Sequence, residues 1–221
     1  MSLLNRLLGV ASTAKASIER ARLARRWTRL RELGMHIGTD VWLPASTWID
    51  TSHCYLITIG DHCGFGEECL ILAHDAQMDE FLDAARIGRV VIHPSCHIGA
   101  RTVILPGVEI GPRTIVGAGS VVAASLPPDT VCAGSPARVI CGLDEHLDRH
   151  RKRIATSPTF AYDGPAKGPE WRAAVRAAVE NGDAYITGGR SAELRGEGGT
   201  PRTGPSPARH APVRRSQDAR G

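Results

Sequence analysis

The chain has 221 residues, room for one domain of ordinary size with appendages but not for two full-sized enzyme domains. With 24 Gly and 14 Pro against 3 Phe, 4 Trp and 3 Tyr, it must pack small and β-branched side chains and turn often, which excludes a long-helix architecture. The net charge of +4 is mild and unevenly placed, and the cations lack the interleaved aromatics of a single-strand nucleic-acid binder.

Residues 1–36 read as a basic amphipathic helical segment. Arg6, Lys15, Arg20, Arg22, Arg25, Arg26, Arg29 and Arg31 outnumber Glu19 and Glu32, while Leu23, Trp27 and Leu30 recur at helical spacing and Leu3, Leu4, Leu7 and Leu8 form a second apolar stripe. Asn5 and Arg6 interrupt the one stretch that a signal peptide would need, and no apolar run nears the ~18–20 residues of a membrane span.

Residues 37–141 carry a period of six. Ile92, Ile98, Ile104, Ile110, Val116 and Val122 fall in one register, and shorter runs precede them: Ile37, Leu43, Ile49, then Ile59, Phe65, Ile71. Gly often follows the marked residue, and the fourth position after it is small or β-branched, as at Cys63, Cys69, Cys96, Thr102, Val108, Thr114 and Ser120. Six matches neither the 3.6 of a helix nor the alternation of a hairpin sheet, and Pro94, Pro106 and Pro112 exclude a continuous helix. A short strand and a tight corner per hexapeptide satisfies it: three hexapeptides close one triangular coil, and stacked coils bury the aliphatic column. After Ile71 the period breaks. Residues 74–89 must leave the coil as a loop, which His74 opens in the sequence ILAHDA.

Residues 142–187 read as a C-terminal helical segment, including Pro169–Asn181 with Trp171, Val175 and Val179 on one side. His146 and His150 stand at i, i+4, but Leu147 occupies the place of the metalloprotease Glu, so a helix surface is the reading preferred to zinc. Residues 188–221 hold only Leu194 and Val213 as large aliphatics and read as a disordered tail. Six cysteines without a CxxC pair read as reduced thiols, which places the chain in the cytoplasm.

The stretch IGARTVILPGVEIGPRTIVGAGSVVAASLPPDTVCAGSPARVI (98–140) resembles the hexapeptide-repeat acyltransferases, with sugar and polysaccharide O-acetyltransferases of the galactoside and maltose type the nearest in pattern. The match spans about residues 37–140. The resemblance implies a mainly β fold, a left-handed parallel β-helix flanked by helices, assembled as a homotrimer. It implies acetyl-CoA as acyl donor and no metal. It implies a catalytic histidine just before the loop, carried here to His74, a residue type whose ordinary pKa near neutrality suits a general base. Pantetheine would lie between subunits beside Ala100 and Ala118, with Ala123 further on, and Arg138 in GSPARVI would meet the 3′-phosphate end. Two departures weaken the basic frame of that end: Ala123–Ala124 replaces a frequent Thr-Lys, and Cys141 stands where a basic residue is common. Asp50 is expected to make a polar contact to the acceptor, and Asp75 either orients His74 or caps the loop. The acceptor implied is a sugar hydroxyl, on a small molecule or a glycolipid.

Other classes stay open at this stage: a serine-type or other small-molecule acetyltransferase, and a non-catalytic or γ-carbonic-anhydrase-like β-helix, for which His93 and His97 would have to converge on zinc. The basic N-terminal helix could dock peripherally on an anionic membrane, but packing of its apolar stripe on the β-helix or a neighbouring subunit is preferred. No nucleic acid is implied.

Overall fold

The computed structural model describes residues 21–161 and 168–188. The expected tail beyond residue 188 and the Leu3–Leu8 stripe lie outside them. Residues 36–134 wind around three parallel sheets that the chain visits in strict rotation. The first face holds β1 (His36–Ile37), β3 (Ile57–Ile59), β8 (Val90–Ile92) and β11 (Glu109–Ile110). The second holds β4 (Gly64–Phe65), β9 (His97–Ile98), β12 (Ile115–Val116) and β14 (Thr130–Gly134), with Trp42 bridged to Gly64 beneath. The third holds β2 (Trp48–Ile49), β5 (Leu70–Ile71), β10 (Val103–Ile104) and β13 (Val121–Val122). In the regular coils each residue pairs with the one eighteen further on: Val91 with Glu109, His97 with Ile115, Val103 with Val121. That is three hexapeptides per turn, a three-sided parallel β-helix.

Each hexapeptide position has its own physical task. The marked aliphatics point inward; Ile92, Ile104, Ile110 and Val122 are fully buried, and so are Ile59 and Ile71 in the earlier coils. Three positions later the chain takes a left-handed conformation to turn the corner: Asp40, His62, Glu68, Ser95, Arg101, Arg113 and Asp129 have φ between +50° and +61°. Gly107 and Gly119 occupy the same place, where a residue without Cβ enters at no steric cost. One position on, the buried small residue closes the corner with a hydrogen bond. Thr102, Thr114 and Ser120 donate to the carbonyls of Gly99, Pro127 and Gly117 at 2.7, 2.8 and 2.6 Å. The thiols of Cys63, Cys69 and Cys96 do the same to His93, Gly99 and Gly111 at 3.1, 3.2 and 3.0 Å. These cysteines are therefore more than small apolar fillers; their S–H groups donate to corner carbonyls.

The ends are covered. Residues 21–32 form helix α1, whose Leu30 is buried against the first coil with Trp27 packed beside it. Arg26 anchors the helix through the carbonyls of Ala45 and Thr47. At the other end β14 turns back into the antiparallel β15 (Ala137–Gly142), which leads into α3 (Leu143–Thr156). The segment expected to be helical also contains a parallel pair, β16 (Thr159–Ala161) with β17 (Tyr185–Thr187), around α4 (Pro169–Ala178). Three-residue strands are too short to show a period in the sequence. Among the described residues no helix is long and apolar enough to cross a membrane.

Candidate active site

The hexapeptide count is exceeded at two places, both on the edge between the third and first faces; a third irregularity on that edge, from Val122 to Leu126, is two residues short. Ten residues separate Ile49 from Ile59 where six would suffice, and twenty-one separate Ile71 from Ile92. Because β2 pairs with β5 in register, Trp48 with Leu70 and Ile49 with Ile71, the two excursions leave the coil one directly above the other. The first begins with Asp50 and passes through a 3-10 turn at Cys54–Leu56. The second begins with His74, in β6 (His74–Asp75), which pairs antiparallel with β7 (Arg86–Ile87) around the short helix α2 (Asp79–Leu82). The amide of Gly88 returns to the Ala73 carbonyl at 2.9 Å and closes the loop at its base.

This stacking brings Asp50 against His74. Oδ2 of Asp50 lies 2.5 Å from His74 Nδ1 and 3.3 Å from the Ala73 amide, while Oδ1 accepts from the amides of Ser52 and His53 at 3.0 and 3.3 Å. Asp50 is 1% exposed. Burial pushes its carboxyl up, but the hydrogen bond and charge of His74, with the backbone donors of His53 and Ala73, outweigh that and hold it below its ordinary value of 3.8. An ionised carboxylate on Nδ1 keeps the ring proton there and leaves the lone pair on Nε2. The His74 side chain is 32% exposed, so that nitrogen has access to solvent. Chemically, such an arrangement can serve as a general base with its orienting group behind it.

Asp50 was expected to touch the acceptor; the structure corrects this, since a carboxylate so deeply buried, with both oxygens occupied, has no surface to offer. Asp75 takes the second of its two expected roles: its Oδ1 accepts from the Gln77 amide at 3.0 Å and caps the loop. Ala100 and Ala118 stack on a different edge, between the second and third faces, where the backbones of successive coils touch. Ala123 follows β13 on the His74 edge. Arg138 is exposed on the β14–β15 hairpin, where it donates to the Ala137 carbonyl. Within one chain these four do not converge. His93 and His97 do not converge either: His93 faces Glu109 at 3.6 Å, and His97 lies on the second face.

His53, which as part of a His53–Cys54 pair gives only a faint metal signal in the sequence, was not among the expected site residues. Its Nδ1 is 3.7 Å from Asp50 Oδ2, its ring 4.9 Å from that of His74, and the ligand atoms of Asp50, His53 and His74 all lie within 4.8 Å of one another, a spacing that could hold a metal ion. The signal was available in the first break of the period, which precedes the loop and leaves from the same edge.

The stacked hexapeptide coils are the feature that the comparisons with known proteins match, and they point to a class of transferase. The family of bacterial transferases with six hexapeptide repeats matches residues 89–124. A protein of Bacillus subtilis (strain 168), provisionally named acetyltransferase YvoF, is 32% identical over 126 residues, 57% of this chain and 71% of the relative. The chain belongs to the hexapeptide-repeat transferases. Among solved structures, a hexapeptide-repeat acetyltransferase of Vibrio cholerae O1 biovar eltor complexed with acetyl coenzyme A is 27% identical, covering 54% of this chain and 77% of that one at a TM-score of 0.46. A maltose O-acetyltransferase of Clostridium difficile 630 is 25% identical, covering 54% and 75% at a TM-score of 0.44.

Proposed function

We propose that the protein transfers an acetyl group from acetyl-CoA to a hydroxyl of a sugar or glycoconjugate. The observation that carries this reading is the Asp50–His74 pair at the rim of the β-helix edge. His74 Nε2 takes the acceptor hydroxyl proton as its oxygen attacks the thioester carbonyl. The C–O bond forms, the C–S bond breaks, and the imidazolium returns the proton to the departing thiolate. Asp50 is a positioning residue: it fixes the ring through Nδ1 so that Nε2 is free to take the proton. Family membership and the name of the Bacillus relative support acetyl as the group moved. The ILAHDA motif opening a short loop supports a sugar-type hydroxyl over an amino acid.

In this reading the β-helix winds left-handed and three copies associate. The outward row of the third face, Trp48, Leu70, Val103 and Val121, is apolar along the full stack, with Trp48 50% exposed, and supports burial against a neighbour. Acetyl-CoA would lie in the resulting groove, with Ala100, Ala118 and Ala123 admitting its close approach and Arg138 meeting a phosphate. Six unpaired thiols, five of them buried, support a reducing, cytoplasmic setting. The test is a screen of coenzyme A release across free sugars, glycosides and nucleotide sugars, with serine as the amino-acid control. Acceptor-dependent release with at least one sugar is the expected result. Release only with serine, or none above hydrolysis, would overturn the proposal.

A further inference from the structure

We propose that Asp50, His53 and His74 form a binding site for a divalent transition metal of the zinc class, and that its occupation switches the transferase off. The second half rests on His74 acting as the base. The first half rests on geometry alone.

The carboxylate is built in. Three backbone amides, Ser52, His53 and Ala73, hold its oxygens, and it is withdrawn from solvent. Two imidazoles present Nδ1 to the same oxygen, Oδ2: His74 at 2.5 Å and His53 at 3.7 Å. His53 Nδ1 is buried and makes no hydrogen bond, although the rest of its side chain is 28% exposed. A buried ring nitrogen without a partner, aimed at a carboxylate that already serves another histidine, has no evident task in proton transfer. It has one if a cation sits between the three atoms.

The donor set is two imidazoles and one carboxylate, which suits zinc and its neighbours and not magnesium or calcium, whose ligands are oxygens. Bonds of ~2.0–2.2 Å in a tetrahedron place ligand atoms ~3.3 Å apart. The His53–Asp50 separation is already near that. The His74–Asp50 separation must open by somewhat under an ångström, and the half-exposed ring can move while the carboxylate stays fixed. The exposed sides of both rings leave room for a fourth ligand, such as water.

The chemical consequence concerns the tautomer. Metal-free His74 carries its proton on Nδ1 and its lone pair on Nε2. A metal on Nδ1 bonds through a lone pair on that nitrogen, so the single ring proton leaves Nδ1 and moves through solvent to Nε2. The nitrogen facing the acceptor then has a hydrogen and no lone pair. No net proton leaves His74, nothing is oxidised, and a chelator reverses the change.

The experiment uses the full chain, stripped with chelator and free of any affinity tag. Cobalt(II) is added while its visible absorption is followed, and zinc is then added to displace it. One cobalt per chain with a four- or five-coordinate spectrum is expected, displaced by zinc. Both His53→Ala and the bulkier His53→Gln should weaken binding by ~100-fold or more, with thermal unfolding confirming that each is folded. The His146→Ala variant should bind normally, since the His146–His150 pair on α3 supplies only two ligands. Undiminished cobalt binding in both His53 variants, or binding lost in His146→Ala, would overturn the site. Stoichiometric zinc should suppress turnover of the unaltered chain and spare the residual rate of the His53 variants, each compared with its own metal-free rate. Zinc bound at one per chain with turnover unchanged would overturn the switch. The cobalt arm needs no substrate, so a chain that binds cobalt through His53 but transfers no acetyl group would count against the proposed function and not against the site.

Discussion

At the residue scale the account turns on one buried carboxylate. Replacing Asp50 with Asn keeps the volume but lets the amide donate toward Nδ1, which favours the ring tautomer with its proton on Nε2. We expect kcat to fall by up to ~10⁴ with the acceptor KM little changed; a loss confined to KM would instead place Asp50 in substrate binding. The same substitution has a stability signature. The Asp50 carboxyl is held below its ordinary 3.8 in the folded chain, so its contribution is present above that pH and is lost as pH falls through the lower folded value. Thermal unfolding should show the Asn variant less stable than the parent at neutral pH, with the gap closing under acid. A gap independent of pH would contradict the assignment. His74 could be singled out in the sequence because it opens the long interruption. Asp50 was singled out for the wrong task, since a polar residue at a break gives no sign of whether it faces solvent or the next coil. His53 was not placed beside His74 because nothing in the chain shows which excursions share an edge until the strand register is known.

Elements of two residues cannot be recognised singly, yet their repetition makes them the most legible feature of the chain. One strand such as Val103–Ile104 carries no periodic signal; six in register do. The same repetition fixes what substitutions should cost. Ile104→Ala removes a fully buried side chain from the middle of the column and should lower stability by about 2–5 kcal/mol in denaturant unfolding. Gly99 is constrained differently: a Cβ there would overlap the backbone nitrogen of Ala118 in the next coil. Gly99→Ala should therefore destabilise although it adds only a methyl group, and a neutral result would show that the coils can part. The left-handed corner residues were not foreseen. Nothing in the sequence marks Asp40, Glu68 and Arg101 for this conformation, because closing the triangle imposes it and no local preference does.

For the whole molecule, the covered ends and the open third face point in different directions. Helix α1 closes the first coil with Leu30 and Trp27, so the described part of the basic segment spends its apolar stripe on the chain's own core. The third face keeps its outward row of Trp48, Leu70, Val103 and Val121 beside the His74 edge. If three copies pack there, Trp48→Lys together with Leu70→Lys should shift the mass measured by light scattering from trimer to monomer and reduce turnover with it; an unchanged mass would move the interface elsewhere. The coiled architecture was readable from the sequence because it is periodic, whereas the acceptor was not, because a period constrains the buried column and says nothing of what a surface site receives. The central claim is that His74 withdraws the acceptor proton, and its most direct test is single-turnover acetyl transfer at saturating acetyl-CoA in the parent and in His74→Ala. The account predicts a rate lower by ~10²–10⁴ in the variant with acetyl-CoA affinity preserved. An undiminished rate, or a loss explained wholly by weaker donor binding, would contradict it.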